Sequence, residues 1–187
     1  MSVVDEELLT PEGMADAHMV LTTKYQWFVH IKPARKFESI KRAGLQPRRQ
    51  GCPTNTSVAA AIGGLVANVD EMMFLRPIGD RVIDSTPRRG EKMFAMAISG
   101  DALPKIITVD WTFGGTWGLA SIIKKDSPEL PNNIIFCEVV RRRGSVAIYE
   151  TIPANLLRIW TKGLPFDDPS KWPRLLDTEF ADVVVSD

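Results

Sequence analysis

The residue of this chain best placed to do chemistry is His30, which lies near the end of the segment 25–31 and directly before Ile31, Lys32 and Pro33. An imidazole whose pKa is close to neutrality can exchange a proton or hydrogen-bond to a ligand. A histidine at a strand end can also serve only to donate one hydrogen bond to the backbone. Which role applies depends on the elements that position the side chain.

Those elements are predicted to be a strand, a turn and a helix. Residues 25–31 are aromatic and β-branched, which favours a strand, and Pro33 suits a first helical position because it lacks an amide hydrogen. The apolar residues that follow recur at near-helical spacing, and Gly44 can adopt the left-handed conformation that ends such a helix. These apolar residues are Phe37, Ile40 and Leu45.

This opening resembles that of ADP-ribosyltransferase-like domains, particularly the DarT type that modifies DNA, and more distantly that of RNA 2'-phosphotransferases. In that superfamily the first strand delivers a polar residue, often histidine, to the ribose of NAD, and the next helix ends at Gly-Leu. The resemblance therefore implies NAD as the cofactor and His30 in the ribose site. It adds Tyr25 and Ser39 as further cofactor-binding candidates. The matching positions are His30, Phe37, Ser39, Ile40, Gly44, Leu45 and Pro47.

A second part of the chain, residues 148–159, resembles the end of the same domains, where a strand leads into Ile-Pro or Val-Pro and a short helix ending in Ile. Here Ile152-Pro153 is followed by residues that end at Ile159. The resemblance implies an α+β fold with a mixed or antiparallel split β-sheet core and flanking helices. The predicted organisation is an acidic arm at residues 1–20 and a single domain at residues 21–187.

The catalytic carboxylate is where the sequence departs from the family. The family glutamate begins the last hairpin strand, a position that falls here on Ser145 or Val146, and neither side chain is a base. Glu138 and Glu150 are the substitutes, and both are predicted catalytic residues. An exposed strand edge is the alternative place for each of them. A member without its carboxylate can have become a binding module, so fold and activity are separate questions.

Cationic residues supply the remaining candidates. Arg76 follows an apolar run and could neutralise a pyrophosphate by bidentate contact, or it could be a surface charge at a strand end. Arg141, Arg142 and Arg143, together with the basic helix at 35–42, could follow a nucleic-acid backbone, or they could form a solvated hairpin turn.

The rest of the chain is predicted to alternate strands with two further helices, an order that suits an α+β fold. An Ala-rich helix is predicted at 58–69 and an amphipathic helix at 153–160, whereas the proline-rich end from Leu164 is expected to be extended. Residues 134–140 and 146–151 are predicted to pair as a β-hairpin. The other predicted strands are 72–76, 92–99 and 106–111.

Composition restricts the class of protein. The chain has 187 residues, 44% of them hydrophobic, and 23 basic residues balance 23 acidic ones. Cys52 and Cys137 are too few for a disulfide framework, His18 is expected to be exposed, and no metal site is predicted. No apolar run is long enough to span a membrane, so a cytoplasmic protein is expected.

The leading hypothesis is an NAD-binding, toxin-like protein that transfers ADP-ribose to a nucleic acid or protein acceptor. The alternative is a catalytically degenerate member of the same fold that acts as a nucleic-acid- or protein-binding module. An unrelated α+β structural subunit is the third possibility.

Overall fold

The computed structural model describes residues 11–47, 73–78, 92–106, 108–109, 119–131, 134–135, 137–138 and 146–180. The chain divides into two compact units, each assembled from three separate stretches of sequence. The first unit holds residues 1–24, 47–75 and 104–150, and the second holds residues 25–46, 76–103 and 151–187. The predicted division into an arm at 1–20 and one domain at 21–187 stays a prediction, although a helix already begins at Pro11.

The second unit is built around strand β1 (Trp27–Pro33), which pairs with β3 (Met93–Ser99) in antiparallel register along its whole length. On its other side β1 pairs with the end of β2 (Met73–Pro77), where Val29 lies opposite Arg76. The short strand β6 (Arg158–Ile159) extends the sheet beyond β3. The predicted strands at 25–31, 72–76 and 92–99 are therefore confirmed within a residue or two at their ends.

Alternation along these strands separates the residues of this sheet into two faces, because directly opposed residues of an antiparallel pair point the same way. The register places one set of residues together, which we call the His30 face: Phe28, His30, Lys32, Phe94, Met96, Ile98 and Ile159. The opposite set, the tryptophan face, consists of Trp27, Val29, Ile31, Ala95, Ala97 and Arg158.

Each face is covered by a different segment. Over the tryptophan face lies the stretch 160–172, whose Trp172 is fully buried against Val29 and Ala97. The indole nitrogens of Trp160 and Trp172 donate to backbone carbonyls within that stretch, so their polar atoms are satisfied. Burial removes the large apolar area of these indole rings from water and is therefore a major source of stability for the unit.

The His30 face is covered by the element that follows β1. A 3₁₀ turn (Ala34–Lys36) leads into helix α2 (Phe37–Ala43), whose Phe37 and Ile40 are buried. Phe37 meets the ring of Phe94 edge-on at 5.3 Å and that of Phe180 at the same separation. The predicted helix is thus confirmed, with the difference that its first turn is 3₁₀. Gly44 ends it with a φ of 76°, as expected from the sequence.

The described residues of the first unit include antiparallel strands and helices. Strand β5 (Val146–Ile148) is central, between residues 73–75 of β2 and β4 (Thr108–Val109). Helix α1 (Pro11–Lys24) supplies the buried Leu21, and helix α3 (Leu119–Asp126) supplies the buried Ile123. The strand predicted at 106–111 is present at Thr108–Val109, within the described residues.

The predicted hairpin of residues 134–140 and 146–151 is wrong. Residues 134–135 and 137–138 are helical, and the carbonyl of Pro131 accepts bonds from the amides of Ile134 and Ile135. β5 takes its partners from β2 and β4 instead. The run is rich in strand-forming residues, but burial of Ile135 and Cys137 on a helical turn outweighs that preference.

The predicted helix 153–160 is also wrong. A single 3₁₀ turn (Ala154–Leu156) is followed by Leu157 in an extended conformation and then by β6. Pairing of Arg158 and Ile159 with β3 supplies long-range backbone hydrogen bonds in place of helical ones. The expectation of little regular structure beyond Leu164 is confirmed up to residue 180, where the regular elements are two 3₁₀ turns (Pro169–Lys171 and Leu175–Asp177).

The fold belongs to the α+β class, since antiparallel strands are combined with separate helices. Among the described residues, no helix has the length and apolar character needed to cross a membrane. The predicted helix at 58–69 lies outside the described residues.

Candidate functional site

His30 lies in the middle of β1, opposite Met96 on β3, and Met96 in turn lies opposite Ile159 on β6. The residue as a whole is half-buried, while its Nε2 atom is shielded from solvent. The strand therefore presents the imidazole to an apolar environment on the His30 face. A polar ligand group that hydrogen-bonds to a ring in such surroundings gains more than it would in water.

Tyr25 belongs to the same neighbourhood. Its side chain is buried and its ring meets that of Phe28 edge-on, with 6.4 Å between the ring centres. Phe28 precedes His30 by two residues and so shares its face. The hydroxyl oxygen of Tyr25 is shielded from solvent, as is Nε2 of His30. Tyr25 and His30, both predicted to bind the cofactor, thus have Phe28 as a common neighbour.

Ser39 lies on α2 but is directed away from this neighbourhood. The side chain is exposed, and its hydroxyl donates to the carbonyl of Lys36 at 2.8 Å. The helix instead turns Phe37 and Ile40 inward. Ser39 thus satisfies a local carbonyl in the first turn of the helix.

Arg76 lies on the other side of the sheet from His30. It is directly opposite Val29, and Val29 alternates with His30 along β1, so Arg76 belongs with the tryptophan face. Strand alternation therefore separates the predicted pyrophosphate residue from the predicted ribose residue. The sequence could not reveal this, because it depends on the register between two strands that lie far apart in the chain.

The two segments that carry the family resemblance meet in the second unit. Leu45 and Ile152 exchange backbone hydrogen bonds of 2.8 and 2.9 Å, forming an isolated antiparallel bridge. Gly44, just before this bridge, has a positive φ, and a Cβ atom there would overlap the carbonyl oxygen of Ile152. The close approach of the two backbones therefore requires glycine at position 44.

The two predicted catalytic glutamates belong to the first unit. Glu138 lies on a helical turn rather than on a strand, and its carboxylate accepts a bond from Nζ of Lys24 at 3.2 Å. Glu150 is exposed just after β5. Val146, one of the two positions expected for the family glutamate, is fully buried in β5, whereas Ser145 lies outside the described residues, as do Arg141, Arg142 and Arg143.

Glu138 also contributes to the electrostatics around Cys137. Burial raises the pKa of the Cys137 thiol to about 11, and the neighbouring Glu138 raises it further while Lys24 acts in the opposite direction. A thiol with such a pKa is almost entirely protonated at neutral pH and is a poor nucleophile. Cys137 is therefore a core residue of the first unit.

His18 differs from its sequence-based expectation. Instead of being exposed, it is half-buried, and its Nδ1 atom accepts a hydrogen bond from the amide of Ile106 at 3.3 Å. Burial, with a smaller contribution from Lys105, lowers the pKa of the imidazole. His18 follows Asp16 by two residues in an acidic stretch of the sequence. No pattern in that stretch distinguished a half-buried histidine from an exposed one.

Within the described residues no cluster of histidine, cysteine and acidic side chains could hold a metal ion. The candidate site among the described residues is the His30 face, with its imidazole and the covering helix α2, and Tyr25 contacts this face at Phe28. No protein-family model, no curated protein and no solved structure matches this chain.

Proposed function

We propose that this chain is an NAD-binding, ADP-ribosyltransferase-like protein that transfers ADP-ribose to a nucleic acid or protein acceptor. The observation that carries the proposal is the bridge between Leu45 and Ile152. The two sequence segments on which the family resemblance rests are more than a hundred residues apart by their numbers, yet they are hydrogen-bonded to each other. A chance resemblance of two unrelated segments gives no reason for them to be in contact.

His30 supports the proposal by its position. It is in the middle of a strand with neighbours on both sides, and it is half-buried. A ribose hydroxyl needs a fixed hydrogen-bonding partner, and a ring held on a paired strand is better preorganised than one on a loop. In the proposed complex His30 hydrogen-bonds to the ribose that carries nicotinamide, and Tyr25 borders the same ligand.

Cleavage of the nicotinamide bond passes through a cationic ribose, so transfer requires a carboxylate that stabilises this charge or deprotonates the acceptor. Glu138 and Glu150 are the proposed carboxylates. If both are inactive, the chain is a catalytically degenerate member of the same class that binds its partner without transfer. The ion pair between Lys24 and Glu138 favours this second candidate, because that carboxylate already has a cationic partner.

The test is incubation of the purified chain with labelled NAD and separate DNA, RNA and protein acceptors. Transferase activity predicts a labelled acceptor or release of nicotinamide, with loss of both in His30→Gln. Glu138→Gln and Glu150→Gln form a matched pair, and the variant that abolishes transfer while retaining NAD binding identifies the carboxylate. NAD binding without transfer or hydrolysis in the wild type supports the binding module and excludes catalysis.

A further inference from the structure

Strand alternation leaves one cation of β1 on the same face as the proposed ribose-binding histidine. Lys32 follows His30 by two residues, so both side chains belong to the His30 face. Residues two apart along a strand are separated by about 6.6 Å, from a rise of roughly 3.3 Å per residue. A lysine stem of four carbons adds further reach, so His30 and Lys32 can contact neighbouring groups of one extended ligand.

The two other cations within the strands of this sheet, Arg76 and Arg158, belong to the tryptophan face. Arg76 is on the tryptophan face opposite Val29. Arg158 shares that face, lies over the ring of Trp27 at 5.7 Å, and donates to the carbonyl of Trp172 at 2.7 Å. Lys41 on α2 donates to the carbonyl of Thr178 at 2.9 Å and pairs with Glu179 at 3.2 Å. Among the cations within the strands of this sheet, Lys32 is therefore the one that shares the face of His30.

The environment of Lys32 suits an anion. Its cross-strand neighbour is Phe94, whose ring is buried and packs against Phe37. Lys32 itself is half-buried, so the residue is partly removed from bulk water. An ammonium interacts with phosphate as a compact charge, and partial exclusion of water strengthens that attraction.

We propose that Lys32 binds the diphosphate of the nucleotide whose ribose is held by His30. This inference rests on the proposed function and names a subsite that was expected at Arg76. In a dinucleotide the diphosphate is attached at the ribose carbon C5'. A ribose bound at His30 therefore has its diphosphate within reach of Lys32, two residues further along β1. Arg76, on the opposite face, has no part in binding it.

The experiment compares the dissociation constants of NAD, ADP-ribose, ADP and adenosine for the wild type and three variants. Lys32→Met removes the charge, Lys32→Arg retains it, and Arg76→Met removes the charge from the other face of the same sheet. In Lys32→Met, loss of a charge-assisted contact is expected to raise the dissociation constants of ADP and ADP-ribose by about tenfold or more. The dissociation constant of adenosine, which lacks phosphate, should change by less than about twofold. Lys32→Arg should retain most of the affinity for ADP and ADP-ribose.

Failure of this inference and failure of the proposed function give different results. If NAD binds the wild type and Lys32→Met alike, or if Arg76→Met causes the larger loss, the assignment to Lys32 is overturned while NAD binding stands. If ADP binds through Lys32 but NAD does not bind at all, the diphosphate subsite stands and the transferase proposal is overturned. Equal melting temperatures of the unliganded variants verify that each of them is folded.

Discussion

Leu45 and Ile152 join the end of the first helix of the second unit to the segment that precedes strand β6, through two reciprocal backbone hydrogen bonds of 2.8 and 2.9 Å. The bridge fixes where α2 ends relative to the sheet that carries His30. Because the turn of residues 34–36 joins α2 directly to the strand that carries His30, a distortion at this bridge should lower the stability of the second unit.

Gly44→Ala tests that bridge. The substitution forces a residue with a Cβ into a φ of 76° and places that atom against the carbonyl of Ile152. We expect a loss in free energy of unfolding of about 2 kcal/mol or more, measured by urea denaturation. Gly163→Ala is the matched control, since Gly163 has a φ of 85° but open space around it, and should cost only about 1 kcal/mol. Equal losses for the two variants would mean that the close approach does not constrain position 44.

Arg158 is predicted to stabilise the second unit by fastening its C-terminal stretch. Its guanidinium lies over Trp27 and donates to the carbonyl of Trp172. Arg158→Met leaves that carbonyl without its charged donor, and we expect a loss of about 2 kcal/mol by urea denaturation. Arg174→Met removes an exposed ion pair with Asp177 and should cost less than about 0.5 kcal/mol. A similar cost for both variants would contradict the role given to Arg158.

His18 is predicted to make stability depend on pH. Its pKa is lower in the folded chain than the ordinary 6.5, so the folded state binds fewer protons than the unfolded state. Stability is therefore present above this ordinary value and is lost as the pH falls below it, because protonation removes the acceptor for the amide of Ile106. His18→Gln should flatten the dependence between about pH 7.5 and about pH 5.5, measured by thermal denaturation. An unchanged pH profile in this variant would refute the effect.

Cys137 is predicted to report on the integrity of the first unit. Its thiol is buried and has a pKa of about 11, so iodoacetamide should modify it very slowly in the folded chain at neutral pH. Mass spectrometry of the peptide that contains Cys137 measures the rate. Denaturant should raise that rate to the value of an ordinary cysteine peptide, whereas fast modification of the native chain would show that the thiol is accessible.

Much of the second unit could be predicted from local sequence. The aromatic and β-branched pattern of β1, the apolar pattern of β3 and the ending of α2 at Gly44 each depend on neighbouring residues in the chain. The helical residues 134–135 and 137–138 could not be predicted this way, since burial of Ile135 and Cys137 outweighs local preference there. The strand Arg158–Ile159 could not be predicted either, because it depends on long-range pairing with β3. The expectation that His30 lies at the strand end is wrong, because β1 continues to Pro33 and His30 is in its middle. That Arg76 lies on the opposite face follows only from its register with Val29. Lys32 did have a local signal, namely its separation of two residues from His30 on a predicted strand.

The central claim is that His30 binds NAD, and thermal denaturation in the presence of increasing NAD tests it most directly. His18→Gln is a matched control, because the chain has two histidines and His18 belongs to the first unit. NAD should raise the melting temperature of the wild type and of His18→Gln by mass action, corresponding to about 2.7 kcal/mol at a concentration of roughly a hundred times Kd. His30→Gln should show little or no increase. An absence of any increase in the wild type, or an equal increase in His30→Gln, would contradict the claim.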